Sequence, residues 1–114
     1  MTECLFCRIV AGQIPATVIY RDDHVVAFRD INPQAPVHVL VVPTRHLPSL
    51  LALTEDSDSA VGNLVRKAVQ IAKDEGVAES GFRLVVNTGP DAGQSVDHVH
   101  VHLLGGRPLS WPPG

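Results

Sequence analysis

At 114 residues, with 45% hydrophobic and 18% charged positions, the chain can build one core but not two domains, and its composition excludes a disordered or low-complexity protein. Nine Lys and Arg against twelve Asp and Glu give a net charge of −3, which excludes a dedicated nucleic-acid backbone binder, since such proteins cluster cations to displace counterions. No run reaches the roughly 18–20 apolar residues of a membrane span, and Glu3 and Arg8 fall where a signal peptide keeps its apolar stretch, so one cytoplasmic domain over residues 1–114 is expected.

Cys4 and Cys7 stand three apart. Without a secretory signal they are expected to serve as a metal pair or as two buried thiols rather than as a structural disulfide. Over 2–11, Leu5, Phe6, Ile9 and Val10 recur at helical spacing and Gly12 stops the run, predicting a short helix. β-Branched and aromatic runs at 17–21 and 25–29 flank Asp22, Asp23 and His24, the pattern of a hairpin. After a loop at 30–36, the run 37–42, closed by Pro43, reads as an interior strand with Val37, Val39 and Val41 on one face and His38, Leu40 and Val42 on the other.

Between 56 and 76, Ala60, Val61, Leu64, Val65, Ala68 and Ala72 recur at three and four, with Thr54 or Asp56 placed to cap and Gly76 to terminate one long helix. Strands are predicted at 82–87 and 96–104, around a glycine-containing loop at 88–95. The tail 107–114 holds three of the nine prolines and the single tryptophan; it cannot add a regular element and must dock. Short connections imply a mainly antiparallel five-stranded sheet with the long helix as a crossover on one face, an α+β fold with one long and one short helix.

Three of the six histidines are His98, His100 and His102. Strand geometry turns all three rings to one face while Val99, Val101 and Leu103 take the other. Three imidazoles in an apolar strand each need a polar partner, so the cluster is expected to have a function. One role is a metal site. The other makes the middle ring a nucleophile toward phosphorus, with a carbonyl holding the proton on its second nitrogen and the flanking rings donating to phosphoryl oxygens. The loop Gly93-Gln94-Ser95, with its backbone donors and hydroxyl, suits a phosphoryl group. No Asp or Glu is expected on the face of the rings, which favours the second role.

The segment HVHVHLL at 98–104, together with DINPQAPVHVLVVPTRH at 30–46, VVNTG at 85–89, GQSVDHVHVH at 93–102 and GGRPLSWPPG at 105–114, resembles the histidine triad family over nearly the whole chain, implying a HIT-like fold. GQ-x-V-x-H-x-H-x-H is shared with the dinucleoside polyphosphate hydrolases. GGR followed by WPPG is similar to the histidine triad nucleotide-binding branch, the nucleoside phosphoramidases.

That resemblance implies hydrolysis of purine nucleoside 5′-phosphoramidates of the AMP-amine or AMP-lysine type. His100 would be the nucleophile forming a covalent nucleotidyl-histidine. The His98 carbonyl would fix the His100 tautomer, His102 and Ser95 would contact the phosphoryl group and assist the leaving group, and His38 would support them. Asn87, Gly93 and Gln94 would complete the phosphate contacts and Asp30 would take the ribose hydroxyls, while Phe6, Ile9, Phe28 and Ile31 would hold an AMP-like purine. It also implies a homodimer whose tail carries Trp111 to the partner's site, and a structural Zn2+ on Cys4, Cys7, His46 and His98, with no catalytic metal. The alternatives are a dinucleoside polyphosphate hydrolase and a non-catalytic nucleotide- or zinc-binding module. Two positions depart from the family pattern: Asp97 stands where relatives are usually aromatic, and Ser110 where some carry histidine.

Overall fold

The protein is described by a computed structural model covering residues 4–114; Thr2 and Glu3, the expected start of the first helix, lie outside the described residues. That helix, α1, is Leu5–Val10. Cys4 caps it, its Sγ accepting from the Cys7 N–H at 3.3 Å, and Phe6 and Ile9 are its buried face. Six residues cannot sustain a helix in water, so docking of those two side chains holds it. Gly12 follows in the left-handed region, φ +75°, which ends the helix where a β-carbon would be strained.

Strands β1 (Val18–Arg21) and β2 (Val25–Arg29) form the expected hairpin. Asp22 shapes the turn, its Oδ1 accepting from the N–H groups of His24 and Val25 at 2.7 and 2.8 Å. The Tyr20 hydroxyl on its other oxygen, at 2.6 Å, is the main cause holding the Asp22 carboxyl down to about 2. Strand β3 (Val37–Pro43) pairs with β2, then helix α2 (Asp58–Asp74) crosses over to β4 (Phe82–Val85) and β5 (Val101–Gly105). Every ladder among the described residues is antiparallel, in the order β1-β2-β3-β5-β4.

Most boundaries shift by a residue or more from expectation, and three of the shifts have a clear local cause. The long helix does not run from Asp56: residues 55–57 form a separate tight turn, because the Ser57 hydroxyl donates to the Thr54 carbonyl and accepts from its N–H. β4 ends at Val85 rather than 87, where its last pairing, to His102, is reached. β5 starts at Val101 rather than 96, since the preceding backbone bonds elsewhere: the His98 N–H donates to the Val96 carbonyl and the Val99 N–H to the Leu47 carbonyl.

The side-chain alternation survives nonetheless. Val39, Val41, Val99, Val101 and Leu103 pack beneath α2 with Leu64, Ala68, Ile71 and Ala72; Leu40 and Val42 pack on the opposite face with Phe6, Ile9, Val26 and Phe28. Close approach of the β5 end to the segment after α2 requires Gly105, where a β-carbon would lie 2.9 Å from Val77 Cβ. Leu64, 2% exposed at the centre of the α2 face, should be the most sensitive helix position. Leu64→Ala is expected to lower unfolding stability by about 3 kcal/mol through lost burial and a residual cavity, read as a shift in urea midpoint at unchanged m-value.

Candidate active site

The face carrying the three histidines, His102 on β5 and His98 and His100 just before it, meets β3 and α1. Each of the three alternating histidines has its proton placed by a different partner. The His100 Nδ1 lies 2.7 Å from the His98 carbonyl oxygen; a carbonyl only accepts, so Nδ1 carries the proton and Nε2 of the neutral ring keeps a bare lone pair. His98 itself is fully buried, and its Nε2 donates to the Pro43 carbonyl at 2.9 Å, leaving Nδ1 as the bare nitrogen. His102 reads the opposite way. The Gln34 backbone N–H donates to His38 Nδ1 at 3.0 Å, so His38 holds its proton on Nε2, which donates to His102 Nδ1 at 2.9 Å. The His102 proton is then on Nε2. A bare nitrogen on one ring and a donor N–H on the next are thereby preset on neighbouring rings, whose centroids lie 5.0 Å apart.

Burial is the first cause of the weak basicity here, pushing His102 down from 6.5 to about 4, with the neighbouring His100 and His38 adding to it; His38 is likewise lowered by burial, against the pull of Asp30. Both rings stay neutral at physiological pH, as the hydrogen-bond chain requires. The His102 ring signal is expected to titrate near pH 4 by NMR rather than near 6.5. Between those values an unfolded chain binds a proton that the folded ring refuses, so stability falls as pH drops from 6.5 toward 4; a His102 signal titrating at 6.5 would contradict the arrangement.

A carboxylate does share this face, contrary to the sequence reading. Asp30, just after β2, brings Oδ2 to 3.3 Å from His38 Nε2, while Oδ1 accepts from the Asn32 N–H at 2.8 Å. Spacing within the histidine strand could not show it, because it arrives from the loop after another strand. Phe6 stands edge-on to His100 with centroids 5.0 Å apart and to Phe28 at 5.4 Å, and Ile9 is buried beside them in the same cluster. Ile31, by contrast, is wholly exposed and packs in no cluster with the other three.

Asn87 follows β4, half-buried, and Gly93 and Ser95 are exposed on the loop leading to β5. Gly93 adopts φ +80°, a left-handed backbone that favours glycine although a β-carbon would meet nothing there. The Gln94 side chain braces the loop: its Oε1 accepts from the Gly89 N–H at 3.0 Å, and its Nε2 donates to the carbonyls of Pro48 and Val96 at 2.8 and 3.1 Å. Asp97 is exposed. Arg83 holds the tail through the Ser110 carbonyl at 3.0 Å, and Trp111 on it is 82% exposed.

Two donor groups among the described residues are compact enough for a metal ion: Cys4, Cys7, His46 and His98, and Asp30, His38 and His102, each with its ligand atoms within 4.8 Å of one another. They differ in proton placement. In the first, His98 Nδ1 is bare and faces Cys4 Sγ at 3.4 Å, Cys7 Sγ at 3.5 Å and His46 Nδ1 at 3.2 Å, with the Pro43 carbonyl fixing the tautomer a ligand needs. This Cys2His2 set fits tetrahedral zinc with no open position. In the second, the Gln34 N–H keeps the proton on the nitrogen of His38 that would have to ligate, so the group fits a hydrogen-bond chain.

Known proteins share this architecture. A family model described as the HIT domain matches residues 11–109. The purine nucleoside phosphoramidase of Escherichia coli is 46% identical over 107 residues, covering 94% of this chain and 90% of the relative. A Brassica juncea protein named 14 kDa zinc-binding protein is 48% identical, covering 98% of this chain and 100% of its own. The crystal structure of a HIT family hydrolase from Legionella pneumophila superposes with a TM-score of 0.97 at 46% identity, covering 98% of this chain and all of that one. With the family model spanning most of the chain and these likenesses running nearly end to end, the chain belongs to the HIT family.

Proposed function

We propose that the protein hydrolyses purine nucleoside 5′-phosphoramidates through a covalent intermediate on His100. The observation that carries this reading is the bare Nε2 of His100, set by the 2.7 Å bond from its Nδ1–H to the His98 carbonyl. Likeness to the E. coli phosphoramidase supports the substrate class. His100 Nε2 attacks the α-phosphorus as the P–N bond breaks and the amine leaves; water then attacks the nucleotidyl-histidine in line, releasing the nucleoside monophosphate and restoring the ring. His102 Nε2–H donates to a phosphoryl oxygen where negative charge gathers, and Ser95 with the Gly93 backbone and Asn87 hold the remaining oxygens and the departing group. His38 is a positioning residue, acting through His102.

The purine rests against Phe6, Ile9 and Phe28, and Asp30 takes the ribose hydroxyls with the oxygen facing His38. Ile31, being exposed, joins the base site by covering it once a nucleotide is bound. Gln94 acts by shaping the phosphate loop, in keeping with its three bonds to protein groups. Zinc on Cys4, Cys7, His46 and His98 supplies a structural clamp between α1 and the start of the histidine segment. The reading further includes a two-fold dimer, in keeping with the β4 edge of the sheet and with Trp111 standing out on an anchored tail, and a cytoplasmic setting, in keeping with cysteines arranged as metal donors. Among the described residues no helix is long and apolar enough to cross a membrane.

Rates of AMP release from adenosine 5′-phosphoramidate and from diadenosine tetraphosphate test the substrate. The phosphoramidate is expected to turn over at least about tenfold faster in kcat/KM, since the mono-anionic phosphoryl group matches neutral donors. Preference for the dinucleotide would select the alternative hydrolase, and turnover of neither would leave a non-catalytic binding module.

A further inference from the structure

The segment Cys4-Leu5-Phe6-Cys7 fastens a helix with few other holds. α1 is too short to persist on its own. Phe6 and Ile9 seat it on the sheet, Arg21 clasps the Val10 carbonyl at 2.8 Å, and its N-terminal end is tied through the two cysteines to His46 and His98. Cys7 Sγ lies 3.2 Å from His46 Nδ1, and the two sulfurs are within 4.8 Å of each other. Cys4 is the N-cap and Cys7 sits in the first turn. A disulfide across that spacing closes a short ring without unwinding the helix, as in C-x-x-C redox motifs. Both cysteines are partly accessible and His46 is exposed, so a small oxidant can reach the sulfurs.

We infer that Cys4 and Cys7 form a reversible oxidation site whose disulfide expels the bound metal and loosens α1 from the nucleotide site. This rests on the zinc reading above. The oxidant is hydrogen peroxide: one S–S bond forms and the O–O bond breaks. The two electrons lost by the thiolates reduce peroxide to two waters, which take up two protons as the zinc leaves. Two neutral imidazoles then remain, too few donors to hold zinc in a closed tetrahedral site. A dithiol reductant and fresh zinc reverse the change. Loosening α1 withdraws Phe6 from its edge-on place against His100, whereas the bond from His100 to the His98 carbonyl is local to the strand and stays. Substrate binding should therefore suffer more than chemistry.

Zinc-loaded protein treated with peroxide tests this by four readouts: zinc captured by a chromogenic chelator, thiol count, peptide mass spectrometry, and hydrogen exchange over 5–10. About one zinc and two thiols per chain are expected to disappear together, with a Cys4–Cys7 linkage in the peptide map and amide exchange in α1 at least about tenfold faster. The KM for adenosine 5′-phosphoramidate should rise roughly tenfold with kcat within about threefold. Cys7→His keeps four donors but removes one thiol, and should retain zinc under the same treatment; should it not fold, the wild-type readouts decide alone. Zinc retained after exposure to peroxide, or zinc lost with α1 exchange unchanged, overturns the inference while leaving the zinc reading intact. Reduced protein that takes up no zinc overturns both.

Discussion

His100→Ala should reduce AMP release from adenosine 5′-phosphoramidate by about four orders of magnitude or more in kcat, the loss seen when a covalent nucleophile is removed from a site whose parts act as a unit. Neither neighbouring ring can substitute. His98 is fully buried with its bare nitrogen turned to the cysteines, and His102 has its Nδ1 occupied by His38. Nucleotide affinity should stay within about threefold, since the purine and ribose contacts proposed above are Phe6, Phe28 and Asp30 and truncation removes transition-state rather than ground-state binding. Quenched wild-type reactions should yield a peptide bearing the nucleotide on His100, absent from the variant. Residual turnover above about one percent of wild type, or an adduct on His98 or His102, would refute the nucleophile assignment.

Removing zinc from zinc-loaded protein should cost about as much stability as truncating Leu64. The Cys2His2 cluster joins α1, the segment just after β3 and the entry to β5, so release of a bound ion would free three pieces of chain and strand His98 Nδ1 in a fully buried position. A loss of roughly 3 kcal/mol, a fraction of the free energies of structural zinc in small domains, would lower the thermal midpoint by on the order of 10 °C. Calorimetry of protein with about one zinc per chain, before and after chelation, measures it, and Cys4→Ala should reproduce the chelated value without further response to chelator. A midpoint unchanged by chelation in protein shown to contain zinc would remove the ion from any structural role.

Much of this site was legible from spacing alone. HVHVHLL shows which rings share a face because strand alternation depends only on backbone geometry, and that held even where 98–100 leave the ladder. Helix α2 and the hairpin were legible for the same reason: period and turn chemistry are local. What spacing could not carry was tertiary. The Gln34 N–H that sets His38, the Pro43 carbonyl that sets His98, and the Asp30 carboxylate beside His38 come from other segments, and no local pattern announces them. The late start of β5 belongs here too, since it depends on where the Val99 N–H finds a carbonyl, and that carbonyl is on Leu47. By spacing alone the cysteine pair is ambiguous; the resemblance set His46 and His98 beside it, and those four side chains do converge.

The strand order has a consequence for assembly of the fold. β5 fills the gap between β3 and β4, two strands made well before it, so their facing edges lack a partner until residues 101–105 arrive. A nascent chain halted short of that point holds a hairpin-plus-β3 unit and a separate β4, and contacts this distant in sequence favour slow closure. Zippering of the last strand is thus the event that joins the two parts, and the same event seats His102 opposite Leu40 with His100 just ahead of it: the histidine face cannot be assembled before the sheet is closed.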